Sequence, residues 1–168
     1  YPTARALHEA SLALRRELGA ERDSAITLSN LGYIALAQGD YDAANQFYQQ
    51  SLILHRKLGD GWGAANALLG LGEIARCRDR YLEAGQAYED ALRQFRDVGD
   101  LGGIAMAQHN LGYVALHAGH VEQACRAFQA SLSASVELRQ TDMIAFCLAG
   151  LAAVFAAAWA MEEAGLSM

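Results

Sequence analysis

Residues Asn30-Leu31-Gly32-Tyr33-Ile34-Ala35 return as Gly70-Leu71-Gly72-Glu73-Ile74-Ala75 and again as Asn110-Leu111-Gly112-Tyr113-Val114-Ala115. A worn copy follows at Gly150-Leu151-Ala152-Ala153-Val154-Phe155. The leucines stand at 31, 71, 111 and 151, so the spacing is forty residues each time, without slippage. Self-similarity at such a period marks a stack of small units, none of which buries its apolar face alone. With 168 residues and 53% hydrophobic content the chain could build one ordinary core. A repeat array instead grows by adding units that touch only their neighbours.

Outward from this phrase, every segment reads as helix. Residues 1–19 carry Ala4, Leu7, Ser11, Leu14 and Leu18 at steps of three and four, which is one apolar helical face. Ser24 to about Gln38 offers Ile26, Leu28, Leu31, Ile34 and Ala35. Tyr41 to about Leu58 offers Ala44, Phe47, Tyr48, Ser51, Leu52 and Leu54. Helices then follow from about Trp62 to Arg78, Tyr81 to Val98, Leu101 to Ala118, Val121 to Leu138 and Thr141 to about Ala160, with Met161 to Met168 left for a shortened last helix. Gly39-Asp40, Gly59-Asp60 and Gly99-Asp100 supply a left-handed stop followed by an N-cap acceptor. Apart from Pro2 there is no proline to break a helix. Short connections force antiparallel neighbours. The expected organisation is a single array over 1–168: a second helix at 1–19, repeats at 21–59, 60–99 and 100–139, and an incomplete repeat at 140–168.

Small residues recur in columns: Gly32, Gly72, Gly112 and Ala152 in the first helix, Ala44, Ala84, Ala124 and Ala164 in the second. Glycine costs about 1 kcal/mol relative to alanine inside a helix. Its recurrence predicts that two helix backbones approach closely there. Tyr48, Tyr88 and Phe128 form a column of large knobs between the helices of each unit.

Leu31-Gly32 with Ala44, Tyr48 and Ser51, Leu71-Gly72 with Ala84, Tyr88 and Ala91, and Leu111-Gly112 with Ala124, Phe128 and Ser131 together resemble the tetratricopeptide repeat. The resemblance covers nearly the whole chain. It implies an all-α, right-handed superhelical solenoid of antiparallel helix pairs, about four repeats long. Two features depart from the usual pattern: the period is forty and not thirty-four, and the proline near the end of each repeat is replaced by Leu-Gly-Asp. The longer form, with its Arg56-Lys57-Leu58-Gly59-Asp60 boundary, is similar to Pins-type adaptors and to the arrays of large bacterial ATP-dependent regulators, including LuxR-type activators.

Thirteen basic against nineteen acidic residues give a net charge of −6. Nucleic acid and anionic membranes both want a basic patch, so neither is an expected partner. Three cysteines without C-x-x-C spacing suggest no disulfide framework and no thiolate zinc site. A reducing, cytoplasmic compartment is the expectation. Residues 143–161 carry no charge and are long enough to span a bilayer. They are dominated by alanine, however, and Leu148 and Leu151 keep the repeat register, so a repeat helix is expected.

Candidate chemistry is sparse. Gly70-Leu71-Gly72-Glu73-Ile74-Ala75 matches a dinucleotide fingerprint but falls in mid-helix, where that motif cannot act. His109, Tyr113 and His117 share a helix face, with Cys77 one repeat before His117, yet without a metal-ligand pattern. No serine or cysteine comes with a recognisable base and orienting partner. Neither an enzyme, a cofactor nor a metal site is expected. The chain reads as a non-catalytic scaffold binding a peptide or protein segment in its concave groove. The alternative is a ligand-sensing or autoregulatory module of a bacterial regulator.

The resemblance implies that first helices line the groove. Carried over, its residues are Ile26, Ser29, Asn30 and Tyr33; Asn66, Leu69, Glu73 and Arg76; Met106, His109, Asn110, Tyr113 and His117; and Phe146. Asn30 and Asn110 hold the positions where peptide-binding members grip a ligand backbone, an amide offering both donor and acceptor. Cations that clamp a terminal carboxylate are absent from the matching positions apart from Arg76. Position 30/70/110/150, which alternates Asn, Gly, Asn, Gly, is expected to hold partner choice. Phe146, Phe155 and Trp159 leave the last helix without a polar capping face. A longer array, a covering partner or self-association through this end is the expectation.

Overall fold

The computed structural model describes residues 2–163, apart from the side chains of Pro2 and Ala4. The expected column member Ala164, and the tail from 164 to 168, lie outside the described residues. The described residues form α1 (Pro2–Glu17), α2 (Glu21–Ala37), α3 (Tyr41–Lys57), α4 (Gly61–Cys77), α5 (Tyr81–Val98), α6 (Leu101–His117), α7 (Val121–Glu137) and α8 (Thr141–Glu163). No strand occurs among them. They fall into two compact units, Tyr1–Val98 and Gly99–Met168. In the first, each helix packs on the next from α1 to α5, and α2 also touches α4. In the second, α7 lies between α6 and α8, which also touch each other. We call α2, α4, α6 and α8 first-type helices, and α1, α3, α5 and α7 second-type.

The turns recur every twenty residues. Positions 19, 39, 59, 79, 99, 119 and 139 all have positive φ. Five are glycine, but Asp79 (φ 58°) and Arg139 (φ 56°) adopt the same conformation with a side chain. At most of these turns the next amide bonds back to a carbonyl near the preceding helix end, as Asp40 N–H does to Ala35 (2.9 Å) and Arg80 N–H to Ala75 (2.9 Å). That closure satisfies carbonyls left over at the helix end, whatever residue occupies the left-handed position. Asp40, Asp60 and Asp100 then cap α3, α4 and α6. Before α2 and α7, Ala20 and His120 make no side-chain cap.

The glycine column has a different cause from the expected backbone approach. A Cβ on Gly32 would sit 2.9 Å from the Tyr48 ring, and one on Gly70 only 2.4 Å from the same ring. In the second unit, Cβ atoms on Gly112 and Gly150 would meet Phe128 at 2.8 and 2.5 Å. Each ring is therefore held between its own first-type helix and the next one along. Gly72 faces Tyr88 in the same way, at 2.5 Å. Positions 70 and 150, read from the sequence as half of a partner-selecting column, are buried seats for a ring.

Two sequence-derived faces differ in the structure. On α1, Leu7, Leu14 and Leu18 are exposed. Leu12 is the buried residue, clustering with Leu28 and Leu31 of α2, because α2 lies against the other side of α1. The last helix does not stop near Ala160 but runs as one helix to Glu163. It is long and apolar enough to cross a membrane by length and composition. It takes the first-type place, with Cys147, Gly150 and Val154 buried and Val154 clustered with Phe128. Leu148 stays exposed although it keeps the repeat register.

Gly70→Ala tests the ring-seat account. Overpacking costs about 1–3 kcal/mol, and helix propensity would return about 1 kcal/mol, so net destabilisation is expected in urea unfolding. Adding Tyr48→Leu should recover part of that loss. A stabilised Gly70→Ala chain would show that the ring is not confining.

Candidate functional site

In the first unit, α2 and α4 carry the expected groove residues, but only some face solvent. Ile26, Asn30 and Tyr33 are exposed along α2. Ser29 is turned toward α3. Ser51 Oγ donates to the Ala25 carbonyl (2.9 Å), so the Ser29 hydroxyl donates to Ser51 Oγ (2.7 Å). Leu69 is buried. Asn66 uses its amide within its own helix, donating to the Trp62 carbonyl (2.9 Å). Glu73 and Arg76 face each other as a bidentate ion pair, through Nε at 3.0 Å and a second, terminal nitrogen.

The Glu73 carboxylate also accepts from Tyr88 O–H (3.0 Å) of α5 and lies near the Cys77 thiol (3.8 Å). Burial alone would raise its pKa, but the Arg76 hydrogen bonds and charge, with the Tyr88 hydroxyl, outweigh burial and hold it below the usual range. Burial and the adjacent Glu73 charge push the Tyr88 phenol well up. Tyr48, desolvated by burial and close to Tyr33 and Glu73, is pushed up to about 12. Both phenols stay neutral, and that of Tyr88 donates to Glu73. Because Arg76 is committed to Glu73, it offers little free charge to a carboxylate.

At the α3–α4 turn, buried His55 places Nδ1 3.0 Å from Asp60 Oδ2. Asp60 Oδ1 accepts from Gly63 N–H (2.9 Å). That backbone bond, followed by the His55 partner, lowers the Asp60 pKa. A Cβ at Gly63 would fall 2.1 Å from the imidazole. This pair joins two helices and reads as structural.

In the second unit the expected residues of α6 and α8 converge. The His109 ring stands edge-on to Tyr113 (centroids 4.9 Å) and Phe128 (5.5 Å), and tilted to Phe146 (6.2 Å). Tyr113 is edge-on to Phe128 (5.1 Å). Met106, Tyr113 and Phe146 are exposed, His109 and Phe128 buried. Burial lowers the His109 pKa, so the ring is neutral. Asn110 is half-buried beside this cluster, and His117 is exposed at the helix end. The result is an aromatic face with an apolar floor.

Beneath it lies a hydrogen-bond chain the sequence did not reveal. Cys147 Sγ–H donates to Ser131 Oγ (3.1 Å), and Ser131 donates to the Ala105 carbonyl (2.7 Å). Cys147 Sγ is also 3.9 Å from His109 Nδ1. A thiol beside an imidazole invites a nucleophile–base reading, but Cys147 is fully buried and its proton already serves Ser131. No substrate reaches that sulfur. The eighty-residue spacing of Ser51 and Ser131, two repeats apart and each donating to a carbonyl of its first-type helix, was the available signal. Gly70–Ala75 lies inside α4 with no strand before it, so it has no dinucleotide context.

A tetratricopeptide repeat family model matches residues 1–57 and 63–135. The chain belongs to the tetratricopeptide repeat family. The crystal structure of BtubC (BKLC) from P. vanneervenii is 19% identical and has a TM-score of 0.72, covering 96% of this chain and 77% of that one. It shares the all-α helical-repeat fold of about four repeats. A de novo designed helical repeat protein, DHR81, is 18% identical over 93% of this chain and 89% of its own, with a TM-score of only 0.37. No curated protein matches the sequence. Repeats of this family mediate protein–protein interaction and are typically non-catalytic scaffolds.

Buried His109 and half-buried Glu73 each give a signed pH dependence. His109 has a lowered folded pKa, so its stabilisation is complete above about pH 6.5 and is lost progressively as pH falls below that value. Glu73, also lowered, contributes above about pH 4 and is lost as pH falls through its folded pKa. Thermal melts should show both declines. His109→Leu, the residue its repeat counterpart Leu69 carries, should flatten the upper one. Glu73→Gln should flatten the lower and cost about 1 kcal/mol at neutral pH through weaker hydrogen bonds.

Proposed function

We infer that the chain is a protein-binding scaffold holding a partner segment on the first-type helices α6 and α8 of its second unit. Met106, Tyr113 and Phe146 form the seat for an apolar or aromatic anchor side chain. The observation that supports this most is the solvent-facing aromatic surface shared by α6 and α8 and backed by buried Phe128. Large rigid rings lose little rotamer freedom on contact, and such clusters concentrate binding energy. The first unit, taken by itself, exposes Asn30 and Tyr33, polar groups able to pair with a partner backbone.

A displayed random-peptide library panned on the chain should return sequences sharing a large apolar or aromatic residue. Phe146→Ala with Tyr113→Ala should weaken the selected peptides by tenfold or more, about 1.4 kcal/mol, with helicity retained. Asn30→Ala with Asn110→Ala should weaken them less. Peptides with no shared apolar residue, or affinities indifferent to both pairs, would overturn the assignment.

A further inference from the structure

Between α1, α2 and α3 of the first unit lies a cleft of about 360 Å³, within the range of roughly 300–1,000 Å³ that small-molecule sites occupy. Leu28, Ile53 and Leu54 supply apolar lining, and Arg15 and Arg16 supply positive charge. The side of α1 that takes part is the one turned to its neighbours. Arg15 Nη1 donates to the Asp23 carbonyl (3.2 Å) and to Thr27 Oγ1, both on α2. Arg16 Nη2 donates to Gln50 Oε1 (2.8 Å) on α3. Three consecutive described helices therefore build the cleft.

Forty residues on, between α3, α4 and α5, the same place is filled from within. His55 stands where Arg15 does and is only 3% exposed. It is bonded to Asp60 (3.0 Å) and lies so close to Gly63 that a Cβ there would fall 2.1 Å from its ring. A Cβ on Gly61 would meet Val98 at 3.0 Å. In the first repeat Ala20, Glu21 and Asp23 hold the places of Asp60, Gly61 and Gly63. Ala20 brings no carboxylate, and the Cβ of Asp23 stands where the ring at position 55 packs in the next repeat. Position 15 instead carries a guanidinium that reaches Thr27, and the space stays open.

The polar groups around that space are under-used. Among the described residues no carboxylate comes within ion-pair distance of Arg15 or Arg16. Glu21, which also lines the cleft, is held by Lys57 (2.5 Å). Ser24 lines the cleft too and is 3% exposed, yet its hydroxyl has no hydrogen-bond partner among the described residues. A half-buried guanidinium with only neutral partners and a nearly buried hydroxyl with none both want an anionic oxygen.

We propose that this cleft binds a small apolar carboxylic acid as its anion. The carboxylate sits against Arg15, Arg16 and the Ser24 hydroxyl, and the hydrocarbon or aryl body covers Leu28, Ile53 and Leu54. Arginine presents parallel N–H donors that match a planar carboxylate. Glu21 favours a monoanion over a phosphate dianion, whose second charge it would oppose. A free acid and the last residue of a peptide ending in leucine offer the same chemistry. The site lies in the first unit and does not rest on the α6–α8 face.

Amide-resolved NMR titration of the 168-residue chain with octanoate, octanamide, inorganic phosphate, and acetyl-glycyl-leucine as acid and as amide tests this. An acid should move signals of residues 15–28 and 50–54, with its amide at least about tenfold weaker. The tighter of octanoate and the peptide acid names the source. Arg15→Gln, Arg16→Gln and Ile53→Asp should each weaken the acid about tenfold, and Ser24→Ala less. Arg16 and Ile53 are exposed, so their variants keep the test should Arg15→Gln lower the melting temperature. Phe146→Ala with Tyr113→Ala, which removes the proposed anchor seat, should leave acid binding unchanged. Neither acid binding at millimolar concentration, amides binding as well as acids, phosphate binding as well as either, or shifts confined to α8 would each overturn the proposal.

Discussion

The described core depends on an aromatic ring confined between two glycines. Tyr48 against Gly32 and Gly70, and Phe128 against Gly112 and Gly150, each tie a second-type helix to the first-type helices on both sides. One side chain thus sets the spacing within a helix pair and the spacing to the next. Burying a ring supplies much of the apolar driving force of a small unit, and the missing Cβ atoms are what let it fit. The glycines weaken their helices by propensity and regain it by admitting the ring.

Around this constraint the polar atoms are arranged to avoid buried, unpaired groups; among the described residues no side-chain nitrogen or oxygen sealed from solvent lacks a hydrogen-bond partner. Ser51 and Ser131 return their hydroxyls to first-type carbonyls. Tyr88 O–H reaches Glu73, and Glu73 holds Arg76. The second unit replaces that ionic arrangement with rings: His109, Tyr113, Phe128 and Phe146 occupy the region where a charged network would otherwise need compensation. The two units therefore present different chemistry from the same backbone plan, one a face whose Glu73–Arg76 pair is internally satisfied and the other an aromatic face open to solvent. This difference supports placing the anchor of a bound segment on the second unit.

The sequence by itself determined the helical class, the forty-residue pairing, the turns at glycine-aspartate steps and the family, because these follow from local periodicity and from residues that recur in fixed columns. It also named the residues that become the aromatic face of the second unit. It did not determine which side of each helix is used. Leu7, Leu14 and Leu18 satisfied the helical period as a buried face, yet Leu12 is the residue that α2 covers. Ser29 and Leu69, grouped with groove residues by column, turn inward, while Gly70 and Gly150 are ring seats. Periodicity reports that a face is apolar. Only tertiary packing decides which element meets it, since a helix stripe can be buried from one side and left open on the other. The link from Cys147 through Ser131 to Ala105 was hidden for the same reason: its members are far apart in sequence and meet only when α6, α7 and α8 pack together.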